Sequence, residues 1–163
     1  MKDLPKRKNI RLQGYDYSSN GMYFVTICTK DKKPILSKIV GDDAHIVPKK
    51  VVLKPYGTVV EKYINNINTT YKNISVENYI IMPNHIHMLV FIDNFNNGTM
   101  WASSPTKVET VVRSLKTMVT KEIGLSIWQR SYYDEIIRDE NHFQYVWNYI
   151  EYNALKEYPL NHK

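Results

Sequence analysis

The sequence predicts an α+β sandwich, with helices packed on an antiparallel sheet. Three observations carry this. Segments with strand and helix periodicity follow one another as strand, helix, strand, strand, helix, short strand, helix. The two most apolar strand segments meet at Pro83-Asn84, a dipeptide that punctuates rather than continues a strand. The chain has 163 residues, 43% hydrophobic and 23% charged, which suits one globular domain spanning 1–163 with its own core.

Residues 1–20 read as a basic, polar N-terminal arm with turn signals at Gly14 and Ser18-Ser19-Asn20-Gly21. Met22 to Thr29 is the first strand, stopped by Lys30-Asp31-Lys32-Lys33-Pro34. A small hairpin is expected between Leu36–Val40 and Ala44–Leu53. Pro55 to Tyr71 is a helix, in which Val60, Tyr63, Ile64, Ile67 and Tyr71 recur at helical spacing and Thr58 with Glu61 forms a capping-box pattern. Strands follow at 76–82 and 85–92, then a polar loop from Asp93 to Ser104. The next helix runs from Pro105 to Ile123 on a buried stripe of Val108, Val111, Val112, Leu115, Met118, Val119 and Ile123, and Gly124 stops it. Lys107, Arg113, Lys116 and Lys121 lie off that stripe, on a face that is either simply solvated or tracks phosphates. Residues 125–138 read as a loop with a fragmentary strand. Asp139 is a natural N-cap for a last helix reaching Lys156.

Charge and composition narrow the partners. The net charge is +6, and 13 tyrosines and 3 tryptophans add flat stacking surfaces to the cations, a combination that suits single-stranded nucleic acid. The single cysteine, Cys28, excludes an internal disulfide and fits a reducing, cytoplasmic setting, with Cys28 itself expected as a buried thiol. No apolar run is long enough for a membrane span, and the basic N-terminus leads into no apolar signal segment.

The chemistry concentrates in two places. His85 and His87 are an i,i+2 pair, so on a strand both imidazoles share one face, about 7 Å apart along the chain. Such a pair is either two polar residues on a solvent face or two metal ligands. Its position in the most apolar run favours ligands, because buried imidazoles need partners. On the last helix, Phe143, Val146, Trp147, Ile150 and Ala154 share one face, while Tyr145, Tyr149, Tyr152 and Asn153 share a neighbouring stripe. Tyr149 and Asn153 are an i,i+4 pair. If that stripe leans over the sheet edge where the histidines point, His85, His87 and Asn153 hold one divalent cation and Tyr149 sits beside it. A cation on a phosphodiester oxygen and a tyrosine nucleophile together make a strand-cleaving centre.

These residues carry a resemblance. Met82-Pro83-Asn84-His85-Ile86-His87, Trp128-Gln129-Arg130, Ile136-Ile137-Arg138-Asp139-Glu140 and Tyr149-Ile150-Glu151-Tyr152-Asn153 resemble the single-tyrosine HUH transposases, above all the REP-associated tyrosine transposase branch. Gly14-Tyr15-Asp16-Tyr17 and Gly21-Met22-Tyr23-Phe24-Val25-Thr26-Ile27 are similar to that branch as well. The resemblance covers roughly residues 11 to 156. It implies a ferredoxin-like, RRM-like core and Mg²⁺- or Mn²⁺-dependent cleavage and rejoining of single-stranded DNA, often at hairpin-forming repeats. It also implies a 5′-phosphotyrosine intermediate and a homodimer in some relatives. The family's metal ligands fall on His85, His87 and Asn153, and its nucleophile on Tyr149. Two positions depart from it: Ala154 stands where relatives commonly have proline, and Glu135 where they often have histidine.

Among basic residues, Lys107, Arg113, Lys116 and Arg130 are the candidates for DNA contact. Two other readings stay open. A non-catalytic module would hold single strands or hairpins on the basic, aromatic surface. A metal phosphodiesterase attacking with water would need the histidines but no tyrosine.

Overall fold

A computed structural model describes residues 20–41, 49–93 and 106–152. The elements are β1 (Gly21–Cys28), a short 3₁₀ turn (Lys30–Lys32), β2 (Ser37–Val40), β3 (Lys50–Leu53), α1 (Pro55–Thr70), β4 (Ile74–Ile81), β5 (His85–Ile92), α2 (Val108–Ile123), β6 (Tyr133–Ile137) and α3 (Glu140–Tyr152). The main sheet is antiparallel, in the order β4-β5-β1-β6, and β2 pairs only with β3. Setting the β2–β3 hairpin aside, the remaining strands and α1 and α2 follow each other as βαββαβ, with the first and third strands at the centre. That is the expected ferredoxin-like arrangement.

Period-2 alternation sorts the strands onto two faces. Tyr23, Val25 and Ile27 of β1 and Ile86, Met88, Val90 and Ile92 of β5 point to one side, where they form the main core with Val60, Ile64 and Ile67 of α1 and Val108, Val111, Val112, Leu115 and Val119 of α2. Phe24 and Leu89 point the other way and pack with Val146, Tyr149 and Ile150 of α3. So α1 and α2 cover one face, and α3 covers part of the other.

Several elements differ in detail from expectation. The capping box at Thr58 and Glu61 does not form: Pro55 occupies the first turn, Lys54 is the N-cap, and Thr58 lies inside the helix. Proline's preset φ starts this helix without a side-chain cap. Met118 is 40% exposed and leaves the α2 stripe, standing about 100° around the helix from the fully buried Val119. Gly124 ends α2 as expected, at φ +76. The fragmentary strand within 125–138 is a full member of the sheet, β6, hydrogen-bonded along β1. The expected hairpin is confined to β2 and β3, and 42–48 lie outside the described residues, as do Gly14-Tyr15-Asp16-Tyr17 and Ala154. Asp139 caps α3 as expected, its Oδ1 accepting from the His142 amide at 2.8 Å.

Gly57 fixes how α1 approaches the hairpin. A Cβ there would stand 2.0 Å from the Leu36 carbonyl oxygen, which itself accepts from the Lys54 amide at 2.9 Å. Only a residue without a side chain fits that approach.

Candidate active site

The site is built on β5, β1 and α3. The histidine pair lies on a central strand, as its apolar run suggests, on the sheet face where Phe24 and Tyr149 also lie. His85 and His87 open β5, and register sets Cys28 opposite His85 and Thr26 opposite His87. The two rings are 4.6 Å apart between centroids. Across this face comes α3, held to the sheet by Val146 and Ile150. Tyr149 belongs to that buried side, whereas Tyr145 and Tyr152, expected on its stripe, are more than half exposed. The three tyrosines separate because Tyr149 lies about 60° around the helix from Val146, whereas Tyr145 and Tyr152 lie about 100° and 120° from it, so only Tyr149 is carried down with the buried side.

The result is one contact group. The Tyr149 hydroxyl lies 3.4 Å from His87 Nε2 in a long hydrogen bond, and the ring centroids are 5.2 Å apart. Phe24 stacks on His87 at 5.0 Å and meets Tyr149 edge-on at 5.9 Å. His87 Nδ1 is hydrogen-bonded to the Thr26 hydroxyl at 2.8 Å, and His85 Nδ1 to Asn84 Oδ1 at 2.6 Å. Beside the pair opens a cavity of about 400 Å³ lined by Phe24, Thr26, Cys28, Lys32, Asn84, His85, His87 and Tyr133. Cys28 is only half-buried there, and burial pushes its thiol up. Lys32 reaches the cavity from a strained turn, with Asp31 and Lys32 at φ 56 and 52.

Electrostatics keep both rings neutral. Burial lowers His87 to about 3, with His85 adding a smaller repulsion. Burial also lowers His85, with Lys32 second. Neutral imidazoles are what a metal ion requires. The same shift makes His87 a poor proton acceptor, so its bond to Tyr149 does not make it a general base.

The donors fit a divalent ion in part. Asn84 Oδ1 can only accept, so His85 carries its proton on Nδ1 and keeps the Nε2 lone pair for a ligand bond. Asn153, expected as the third ligand, lies outside the described residues. Among the described residues no cluster of three His, Cys, Asp or Glu groups is placed to hold a metal, so the protein donors seen are the two imidazoles, with the Tyr149 oxygen beside them.

The basic candidates separate. Arg113 is paired with Glu109 at 3.0 Å. Lys116 is partly buried and donates to the carbonyls of Gln129 at 2.9 Å and Ser131 at 3.0 Å, so it ties down the loop before β6. Lys107 is the N-cap residue of α2. Arg130 lines a second cleft of about 780 Å³ with Lys30, Lys121 and Trp128. That cleft adjoins the first through β1, where the Gln129 amide donates to the Cys28 carbonyl at 2.9 Å. Thr26 and Lys32 escaped the sequence reading, and Asn84 entered it without its role of holding His85. Strand register brings Thr26 to the histidines and a left-handed turn brings Lys32.

No model of a known protein family matches the chain. It is 31% identical over 167 aligned positions to an uncharacterized protein of Haemophilus influenzae, covering 91% of this chain and 88% of that one. It is 25% identical over 154 positions to a second protein of that organism, named "Putative REP-associated tyrosine transposase", covering 86% of this chain and 74% of that one. The fold is similar to that of a REP-associated tyrosine transposase solved bound to a REP hairpin, with TM-score 0.60 and 16% identity, covering 84% of this chain and 68% of that one.

Proposed function

We propose that the chain, whose sequence and fold are similar to REP-associated tyrosine transposases, cleaves and rejoins single-stranded DNA through a covalent phosphotyrosine at Tyr149, with a divalent ion held by His85, His87 and Asn153. The observation that carries this is the contact of the Tyr149 hydroxyl with His87 Nε2, 3.4 Å apart, because it puts a phenol beside the histidine pair. A bound Mg²⁺ or Mn²⁺ would neutralise and orient the scissile phosphate, and nitrogen donors suit Mn²⁺ the better of the two.

The chain's own residues do the rest. The Tyr149 oxygen forms a bond to phosphorus, its proton passes to solvent, and the bond from phosphorus to the 3′ oxygen breaks. That oxygen takes up a proton and leaves as a free 3′-hydroxyl. The 5′ phosphate stays on Tyr149, and attack by a 3′-hydroxyl reverses the step and rejoins a strand. Phe24 and the β5 face hold the phenol in place. Lys32 supplies a positive charge on the cavity wall. Arg130, with Lys30 and Lys121, lines the adjoining cleft, where a flanking strand or hairpin is held by its phosphates. Lys107 and Arg113 lie farther along α2 and take a lesser share, Arg113 being already paired with Glu109.

The test is a labelled single-stranded oligonucleotide carrying a hairpin repeat, run on denaturing gels after incubation with Mn²⁺. Tyr149→Phe abolishes the covalent adduct and leaves oligonucleotide affinity within about twofold. An adduct that persists in Tyr149→Phe excludes Tyr149 as nucleophile, and hydrolysed product without any adduct favours attack by water. Binding that survives a chelator with no cleavage in any divalent metal favours the non-catalytic module.

A further inference from the structure

The two histidines are held alike. Each has its Nδ1 against a side-chain oxygen, His85 against Asn84 and His87 against Thr26. At His85 the amide oxygen dictates the tautomer, since it cannot donate. At His87 the hydroxyl can donate or accept, so that bond alone permits either tautomer. The ring is 1% exposed, and a neutral imidazole has its proton on one nitrogen only. If that proton sits on Nε2, the edge facing Tyr149 has no lone pair, and the two rings cannot share an ion through matching nitrogens. If it sits on Nδ1, the Tyr149 hydroxyl donates to Nε2, and the lone pair there passes to an ion when the phenol turns to the phosphate.

We propose that Thr26 is the positioning residue of this centre: its hydroxyl accepts from His87 Nδ1–H and so presents the Nε2 lone pair to the ion. Its place follows from the register, which sets Thr26 of β1 opposite His87 of β5. A hydrogen bond of 2.8 Å across two paired central strands also fixes the plane of the ring. The assignment rests on the metal reading of the site, but the tautomer does not need the metal to be seen.

The experiment has two readouts on the whole chain. Nitrogen NMR of the metal-free protein shows His87 with a protonated Nδ1 and an unprotonated Nε2. Thr26→Val mixes the tautomers and weakens Mn²⁺ binding roughly 10- to 100-fold, while oligonucleotide affinity in chelator and the thermal midpoint of Thr26→Ser stay near wild type. Thr26→Ser keeps the hydroxyl and restores both the tautomer and the Mn²⁺ affinity. A wild-type His87 protonated on Nε2, or a Thr26→Val chain with unchanged tautomer and Mn²⁺ affinity, overturns the assignment. Failure of the wild-type chain to bind Mn²⁺ overturns the metal centre and Thr26's role toward it together, while the NMR result separately reports whether Thr26 fixes the ring.

Discussion

At the scale of single residues, the site works by burial of neutral groups. His87 is depressed to about 3 by burial, below its ordinary value of 6.5. Between those values the unfolded chain binds a proton that the folded chain refuses. The stability associated with this ring is therefore complete above pH 6.5 and is lost as pH falls toward 3, at about 1.4 kcal/mol per unit. Urea denaturation from pH 7 to pH 4.5 should show this slope, and His87→Gln should flatten it. An unchanged slope in His87→Gln would assign the acid sensitivity elsewhere. This residue and Tyr149 were legible in the sequence because a His-x-His strand and a helix tyrosine have fixed geometry. Thr26 was not, since nothing local ties it to a residue 61 positions away. Asn84 read only as turn punctuation, although it also holds His85.

At the scale of elements, backbone approach decides what the sequence can show. The helices were legible from periodicity, and Gly124 and Asp139 marked their ends correctly. β6 was under-read because Tyr133–Ile137 is short and its alternation is blurred by a buried carboxylate, Asp134. The false capping box at Thr58 shows a pattern overridden by Pro55 one turn earlier. Gly57 is the element-scale constraint most open to test. A methyl there meets backbone at Leu36, which cannot rotate away. Gly57→Ala should lower stability by about 1–3 kcal/mol, measured as a shift in denaturation midpoint, despite alanine's better helix propensity. A stabilised variant would show that α1 can shift outward freely.

At the scale of the whole molecule, the described surface sorts its charge. Lys62 is paired with Glu122 and Arg113 with Glu109, whereas no side-chain ion pair engages Lys30, Lys121 or Arg130 among the described residues. With a net charge of +6, oligonucleotide binding should weaken steeply with salt. Reversing Lys30, Lys121 and Arg130 together should reduce the slope of log affinity against log salt by about 2, at roughly 0.7 per phosphate contact on a single strand. An unchanged slope would move the DNA to another face. Composition led to the expectation of a polyanionic partner, but only the packing of α2 against the loop before β6 shows which cations are spent on the fold.

The central claim is that both imidazoles hold one ion beside the Tyr149 phenol. Pulsed EPR of the Mn²⁺-loaded protein tests it directly. The account predicts nitrogen couplings from two imidazoles, reduced to one in His85→Gln and in His87→Gln. A Mn²⁺ signal without nitrogen couplings, or couplings unchanged in both variants, would contradict it.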